Sequence, residues 1–181
     1  CYSHVDERSS SFFALGIAKS TKIPVLVIST SGTAAANFFP AVIEASLSRV
    51  PIIIISADRP GKLVGSGANQ TINQQKLYGN HVRYFSDAGL PTEHLDSLEK
   101  ILQQAMNHSN GSDLQKPPGP VHLNFPFDTP LFPDDLLKIR QSKFSFKPSK
   151  REEISAVNIL VLKKAAKPLI IVGPIEEDCH Q

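Results

Sequence analysis

Three polar stretches hold the side chains whose types and spacing could do chemistry, and each lies beside an apolar or helix-like run. The first is Asp6-Glu7-Arg8, just ahead of the helix-like Ser9–Lys19. A carboxylate placed there can take or give a proton. It can equally be the acidic first-turn residue that complements a helix dipole. The second is Thr30-Ser31-Gly32-Thr33-Ala34-Ala35-Ala36-Asn37. Small residues and hydroxyls at a helix start leave backbone N–H groups free to meet an anion or the polar edge of a ring. The competing reading is an ordinary cap, with Ser31 or Thr33 satisfying the first turn. No Lys follows the glycine, so this is not a phosphate loop. The third is Ala57-Asp58-Arg59-Pro60, running into Gly65-Ser66-Gly67-Ala68-Asn69-Gln70. A guanidinium fixed next to Pro60 can clamp a carboxylate through two parallel hydrogen bonds. It can also form a salt bridge to Asp58 or to another domain. Gly65 and Gly67 mark a tight turn, so Asn69 and Gln70 can reach a cleft as amide donors or cap backbone instead. The six His residues show no metal-ligand spacing, and His122 reads as a strand residue between sheet and helix. No G-x-S-x-G elbow supports a serine nucleophile.

The elements that must position these residues alternate. Pro24–Ser29 and Pro51–Ser56 are apolar at nearly every position, as suits parallel strands covered on both faces. Val82–Phe85 reads as a short strand and Pro120–Asn124 as another. Ala34–Leu47 reads as a helix that Pro40 kinks or shortens. Pro91–Asn107 reads as a helix, with Thr92 as a candidate N-cap and Leu95, Leu98, Ile101, Leu102 and Ala105 at helical spacing. Cys1–Val5 reads as the end of a strand entered midway. Strand–helix alternation predicts an α/β fold with an open, mostly parallel sheet in three layers, and ligands on such sheets bind beyond the strands' carboxyl ends. All three polar stretches fall there. Pro126–Ser149 is proline-rich and reads as an arm or linker. Arg151–Ala166 and Lys167–Pro174 read as the first helix and strand of a further domain. The expected organisation is therefore a domain over 1–130, a linker over 131–150 and the start of another domain over 151–181.

Composition removes several function classes. With 181 residues and 41% apolar side chains the chain can build one core. Nineteen basic and 17 acidic residues are interspersed, for a net charge of +2, so there is no basic footprint for nucleic acid and no polybasic membrane patch. The two cysteines, Cys1 and Cys179, sit at opposite ends and make no zinc or disulfide framework. No run approaches the roughly 18 apolar residues of a membrane span. A reducing, cytoplasmic location is the default. The chain opens without an initiator Met, so an absent signal segment carries little weight.

Several runs occur in one order that resembles a known family: His4-Val5-Asp6-Glu7-Arg8, Thr30-Ser31-Gly32-Thr33-Ala34, Glu44-Ala45, Ser56-Ala57-Asp58-Arg59-Pro60, Gly67-Ala68-Asn69-Gln70 and Gly119–Asn124. They are similar to the 2-succinyl-5-enolpyruvyl-6-hydroxy-3-cyclohexene-1-carboxylate synthases of menaquinone biosynthesis, which are thiamine-diphosphate enzymes. The Glu-containing helix start and the Thr-Ser-Gly run are shared more widely among thiamine-diphosphate enzymes. The Ala-Asp-Arg-Pro and Gly-Ala-Asn-Gln runs single out this branch. The resemblance covers residues 1–130 well and the remainder less distinctively.

The resemblance implies a pyrimidine-binding domain and a role for each residue. Glu7 would hydrogen-bond the cofactor's pyrimidine nitrogen and so promote loss of the thiazolium proton, with Ser31, Gly32 and Thr33 beside the ring. Such proton sharing asks for a carboxylate in apolar surroundings. Arg59 would hold a substrate carboxylate, with Asn69 and especially Gln70 lining the same pocket. The implied reaction decarboxylates 2-oxoglutarate and adds the remaining acyl unit to isochorismate, on the way to menaquinone or phylloquinone. The family's first strand and helix, with a Gly-Ser-Arg-Ser-type stretch, are absent. So is the domain that binds the diphosphate and its Mg2+, and no metal ligands are expected in this chain. Because the family's site forms between subunits of a homodimer or homotetramer, the chain by itself is expected to be inactive. Two alternatives stand beside this reading: another thiamine-diphosphate enzyme of the acetolactate-synthase kind, and a non-catalytic α/β interaction module.

Overall fold

The computed structural model describes residues 1–91, 95–112 and 116–131, together with Lys164. The chain divides into two units, Cys1–Lys150 and Arg151–Gln181. Lys164 apart, the helix and strand expected over 151–174, and most of the expected linker, lie outside the described residues, as does the Thr92 cap.

In the first unit, strands β1 (Val25–Ser29), β2 (Ile52–Asp58), β3 (Tyr84–Asp87) and β4 (Val121–Pro126) form one parallel sheet in the order β1-β2-β4-β3. Helices α1 (Glu7–Thr21), α2 (Thr33–Asn37), α3 (Phe39–Leu47) and α4 (Leu95–Ser109) cover it. On one face α1 and α3 enclose Val27, Ile52, Ile54, Phe38 and Tyr78. On the other, α4 places Ala105 against Ile53, Val121 and Leu123. This is the three-layer α/β arrangement that the alternating pattern predicts.

Register is the fact that matters for the site. Ser29 lies opposite Ser56, Ser56 opposite Asn124, and Asn124 opposite Asp87. Side chains alternate between faces with a period of two. A row of polar residues therefore crosses the carboxyl edge of the sheet on the α1/α3 face, with His122 two residues behind Asn124.

Local physics explains where the elements differ from expectation. Helix α1 begins at Glu7 because Asp6 takes the N-cap, its carboxylate accepting from the Ser9 N–H at 2.7 Å. It ends where Lys22 turns left-handed at φ 58° and its N–H returns to the Ala18 carbonyl at 3.0 Å. The helix expected over Ala34–Leu47, kinked or shortened by Pro40, is two helices joined at Phe38. Pro40 has no N–H to give to the turn before it, and its ring crowds that turn's carbonyl. Strand β2 runs on to Asp58, whose carbonyl accepts from the Phe127 N–H at 3.0 Å. Cys1–Val5 is not part of the sheet: among the described residues no strand lies beyond β1 to pair with it.

Candidate functional site

The parallel sheet brings two of the three polar stretches, those that follow β1 and β2, to its carboxyl edge, and hydrogen bonds join them; the first stretch opens helix α1. Leaving β1, the chain reaches Gly32 at φ 80° and ψ −142°, close to a region that only glycine occupies readily. Gly32 is the N-cap of α2 and no side chain caps that helix, so neither Ser31 nor Thr33 plays the capping part. The buried Ser31 hydroxyl donates instead to the Gln70 carbonyl at 2.9 Å. Gln70 sits left-handed at φ 56°, which is uncommon for a residue with a Cβ. Its side-chain amide donates to Thr30 Oγ1 and to the Ser31 carbonyl, each at 3.2 Å. The two loops touch so closely that a Cβ on Gly32 would stand 2.9 Å from the Gln70 carbonyl oxygen. Gln70 is thus a latch on the Ser31 turn, and its Nε2 is used there. Asn69 and Thr33 are exposed.

At the end of β2, Asp58 does not pair with the Arg59 side chain. Its carboxylate accepts the Arg59 backbone N–H at 2.7 Å and the Asn124 amide at 2.8 Å. The half-buried Arg59 guanidinium has no hydrogen bond or ion pair among the described residues. That leaves it free for an incoming carboxylate, the chemistry a fixed guanidinium serves best. Glu7, also half-buried, stands in the first turn of α1, with no hydrogen-bond partner among the described residues. No hydrogen bond joins it to the Ser31–Gln70 latch or to Arg59.

Beneath these loops is a buried polar network that the sequence reading did not single out. Gln74, only 1% exposed, accepts from the Gly32 N–H at 2.7 Å and donates to the Ala57 carbonyl at 3.1 Å and to Asn124 Oδ1 at 2.8 Å. Asn124 Oδ1 also accepts from the Ser56 hydroxyl at 2.8 Å, and Asn124 Nδ2 donates to Asp58 and, at 3.2 Å, to Asp87. The Ser56 proton is committed to Asn124, so Ser56 must accept from His122 Nε2 at 2.7 Å. His122 therefore carries a proton on Nε2, and because its buried Nδ1 has no acceptor to face, the ring is neutral. Burial pushes its pKa down to about 4, the Asp87 charge opposing. The signal that could have exposed this network was the β2/β4 register, which sets Ser56 beside Asn124.

Two separate features suit the aminopyrimidine end of thiamine diphosphate: the Glu7 carboxylate, which has no hydrogen-bond partner among the described residues, and the glycine turn at Gly32, whose space Gln70 limits. Among the described residues no comparable cradle for the diphosphate end is present. Among the described residues no three His, Cys, Asp or Glu side chains converge as metal ligands.

Comparison with known proteins agrees with the geometry. Residues 1–77 match the family described as thiamine pyrophosphate enzyme, N-terminal TPP binding domain. The chain is 46% identical to the 2-succinyl-5-enolpyruvyl-6-hydroxy-3-cyclohexene-1-carboxylate synthase of Bacillus pumilus, over 89% of this chain and 26% of that protein. It is 51% identical to the synthase of the same name from Halobacterium salinarum, over 73% of this chain and 22% of that protein. For the Listeria innocua synthase the figures are 41%, 97% and 32%. The chain spans about a quarter to a third of the length of these relatives. Over most of its length, then, the chain is similar to the first part of the 2-succinyl-5-enolpyruvyl-6-hydroxy-3-cyclohexene-1-carboxylate synthases, and its residues 1–77 match the N-terminal TPP-binding domain of the thiamine pyrophosphate enzymes.

Proposed function

We propose that this chain supplies the pyrimidine-binding half of the active site in a synthase that decarboxylates 2-oxoglutarate and adds the resulting acyl unit to isochorismate, within menaquinone or phylloquinone biosynthesis. The observation that carries this reading is the 39–51% identity to synthases of that name. The free Arg59 guanidinium supports it, because both substrates are acids. When bound, thiamine diphosphate supplies an acidic ring carbon and an electron sink for decarboxylation. The residues of this chain do the rest of what falls to them. The Glu7 carboxylate shares a proton with the pyrimidine nitrogen. Ser31, Gly32 and Thr33 shape the wall beside that ring. Arg59 orients a substrate carboxylate, with Asn69 and Gln70 on the same side.

In this reading residues 1–130 are the pyrimidine-binding domain, 131–150 a linker and 151–181 the start of a central domain. The diphosphate and its Mg2+ belong to a further domain, contributed by a second subunit of a homodimer or homotetramer. The location is cytoplasmic. No helix among the described residues is long and apolar enough to cross a membrane.

The test uses the full-length enzyme carrying this sequence, supplied with thiamine diphosphate, Mg2+, 2-oxoglutarate and isochorismate. Turnover supports the reading. Turnover of pyruvate in place of 2-oxoglutarate would favour an acetolactate-synthase-like enzyme, and failure to bind thiamine diphosphate a non-catalytic module.

A further inference from the structure

We propose that Gln74 is a positioning residue: its buried side-chain amide ties the Ser31-Gly32 turn to the Asp58-Arg59 corner through Asn124, so that the two loops of the site hold one relative placement. The proposal rests on the reading above, in which the first loop meets the cofactor and the second an acidic substrate.

The directions of the hydrogen bonds leave no freedom. A backbone N–H can only donate, so the Gly32 bond at 2.7 Å identifies the facing Gln74 atom as Oε1. Both Nε2 protons then go to acceptors, the Ala57 carbonyl and Asn124 Oδ1. With its oxygen so assigned, Asn124 must present Nδ2 to Asp58 and Asp87. The other Asp58 oxygen holds the Arg59 N–H. From Gly32 to Arg59 the chain of bonds runs through side chains that are all 8% exposed or less. Buried polar networks with every donor used hold a single arrangement. The bond also withdraws the Gly32 N–H from any ligand: in this turn it is a structural donor. Gln70 adds the second tie, from above, through Ser31. The neighbours show that position alone does not confer the role, since Asn73 and Gln75 on either side are exposed.

The titratable groups nearest Gln74 through this network are Asp58 of β2, Asp87 of β3, His122 of β4 and Tyr78 of its own loop, with Arg59 beyond β2. Strand β1 and helix α2 contribute none. A Glu at this position would keep the acceptor for Gly32 but set a second acceptor against the Ala57 carbonyl and Asn124 Oδ1. Protonation would restore one donor.

The experiment compares Gln74→Glu and Gln74→Met with wild type in the full-length holoenzyme from pH 6 to 8, reading the Kd for thiamine diphosphate, the KM for 2-oxoglutarate and kcat. We expect Gln74→Met to raise both Kd and KM, each by about tenfold, the scale of one lost buried hydrogen-bond partner. We expect Gln74→Glu to do the same at pH 8 and to recover toward wild type at pH 6. Taking each variant as a ratio to wild type removes the titration of the surrounding groups. A change in only one of the two constants, no change in either, or a Gln74→Glu deficit independent of pH overturns the positioning role. Should one variant fail to fold, judged by circular dichroism, the other decides by its own criterion. Wild-type turnover tests the proposed reaction separately: if wild type binds thiamine diphosphate but turns over neither substrate, that reaction fails. The Kd for thiamine diphosphate and the melting temperature at pH 6 and 8 then test the tie, and an unchanged Kd overturns it.

Discussion

Acidification should destabilise this fold through one buried imidazole. His122 is fully buried in β4, gives its Nε2 proton to Ser56 and has nothing to receive a proton on Nδ1. Its pKa falls from 6.5 to about 4, while in the unfolded chain it stays near 6.5. Between those values the unfolded state binds the proton and the folded state does not, so stability drops as pH falls. At about 1.4 kcal/mol per pH unit the penalty reaches about 3 kcal/mol by pH 4. That is a large share of the 5–15 kcal/mol that typically holds a domain together. The window is distinctive. The carboxyls held low by hydrogen bonds, Asp6 by Ser9 and Asp128 by Lys62, act below their ordinary value of 3.8. The assay is urea unfolding of wild type and His122→Asn at steps from pH 7 to 4. The variant starts lower because Ser56 loses its imidazole donor, but the gap should shrink by about 3 kcal/mol across the window. A gap that stays constant would refute the reasoning, because the acid sensitivity would then lie elsewhere.

Three further outcomes follow from the site. Gly32→Ala forces a Cβ to 2.9 Å from the Gln70 carbonyl at a φ of 80°, and should cost about 2–3 kcal/mol in thermal unfolding and raise the thiamine diphosphate Kd. Unchanged melting would show that the loops part freely. Arg59→Ala should raise the KM for an acidic substrate by about tenfold or more, as loss of a charge-assisted pair does; an effect confined to cofactor affinity would remove Arg59 from the substrate pocket. Glu7→Gln in the holoenzyme should abolish exchange of the cofactor's thiazolium proton, followed by NMR after quenching, and retained exchange would sink the assignment of that carboxylate.

Much of the fold was legible because its signals are local. Ile52–Ile55 reads as a buried strand from its own composition, and Leu98, Ile101, Leu102 and Ala105 mark one helix face whatever lies beneath. Ala34–Leu47 reads as a helix that Pro40 kinks or shortens, and the interruption proves to be a full break into two helices. The candidate site was legible as loops. Ser31 and Gly32 follow β1 and Arg59 follows β2, where parallel strands leave ligands room, while Glu7 lies in the first turn of α1. Their partners were not legible. Asp58 beside Arg59 reads as an ion pair, yet its carboxylate faces Asn124, 66 residues away in the chain. Ser31 reads as a cap, yet its hydroxyl crosses to Gln70.

The sequence by itself determined the four strands of the sheet, most of the helices and the parallel character of the sheet, and it marked the stretches whose side chains are candidates for chemistry. Those follow from side-chain volume, branching and apolar spacing within a few turns of chain. Tertiary structure alone decided how Ser56, Asn124 and Asp87 line up across three strands and that Gln74, not Asn73 or Gln75, turns inward. Register and burial are set by packing between distant segments, and the direction of each amide is set by partners that only that packing brings within reach.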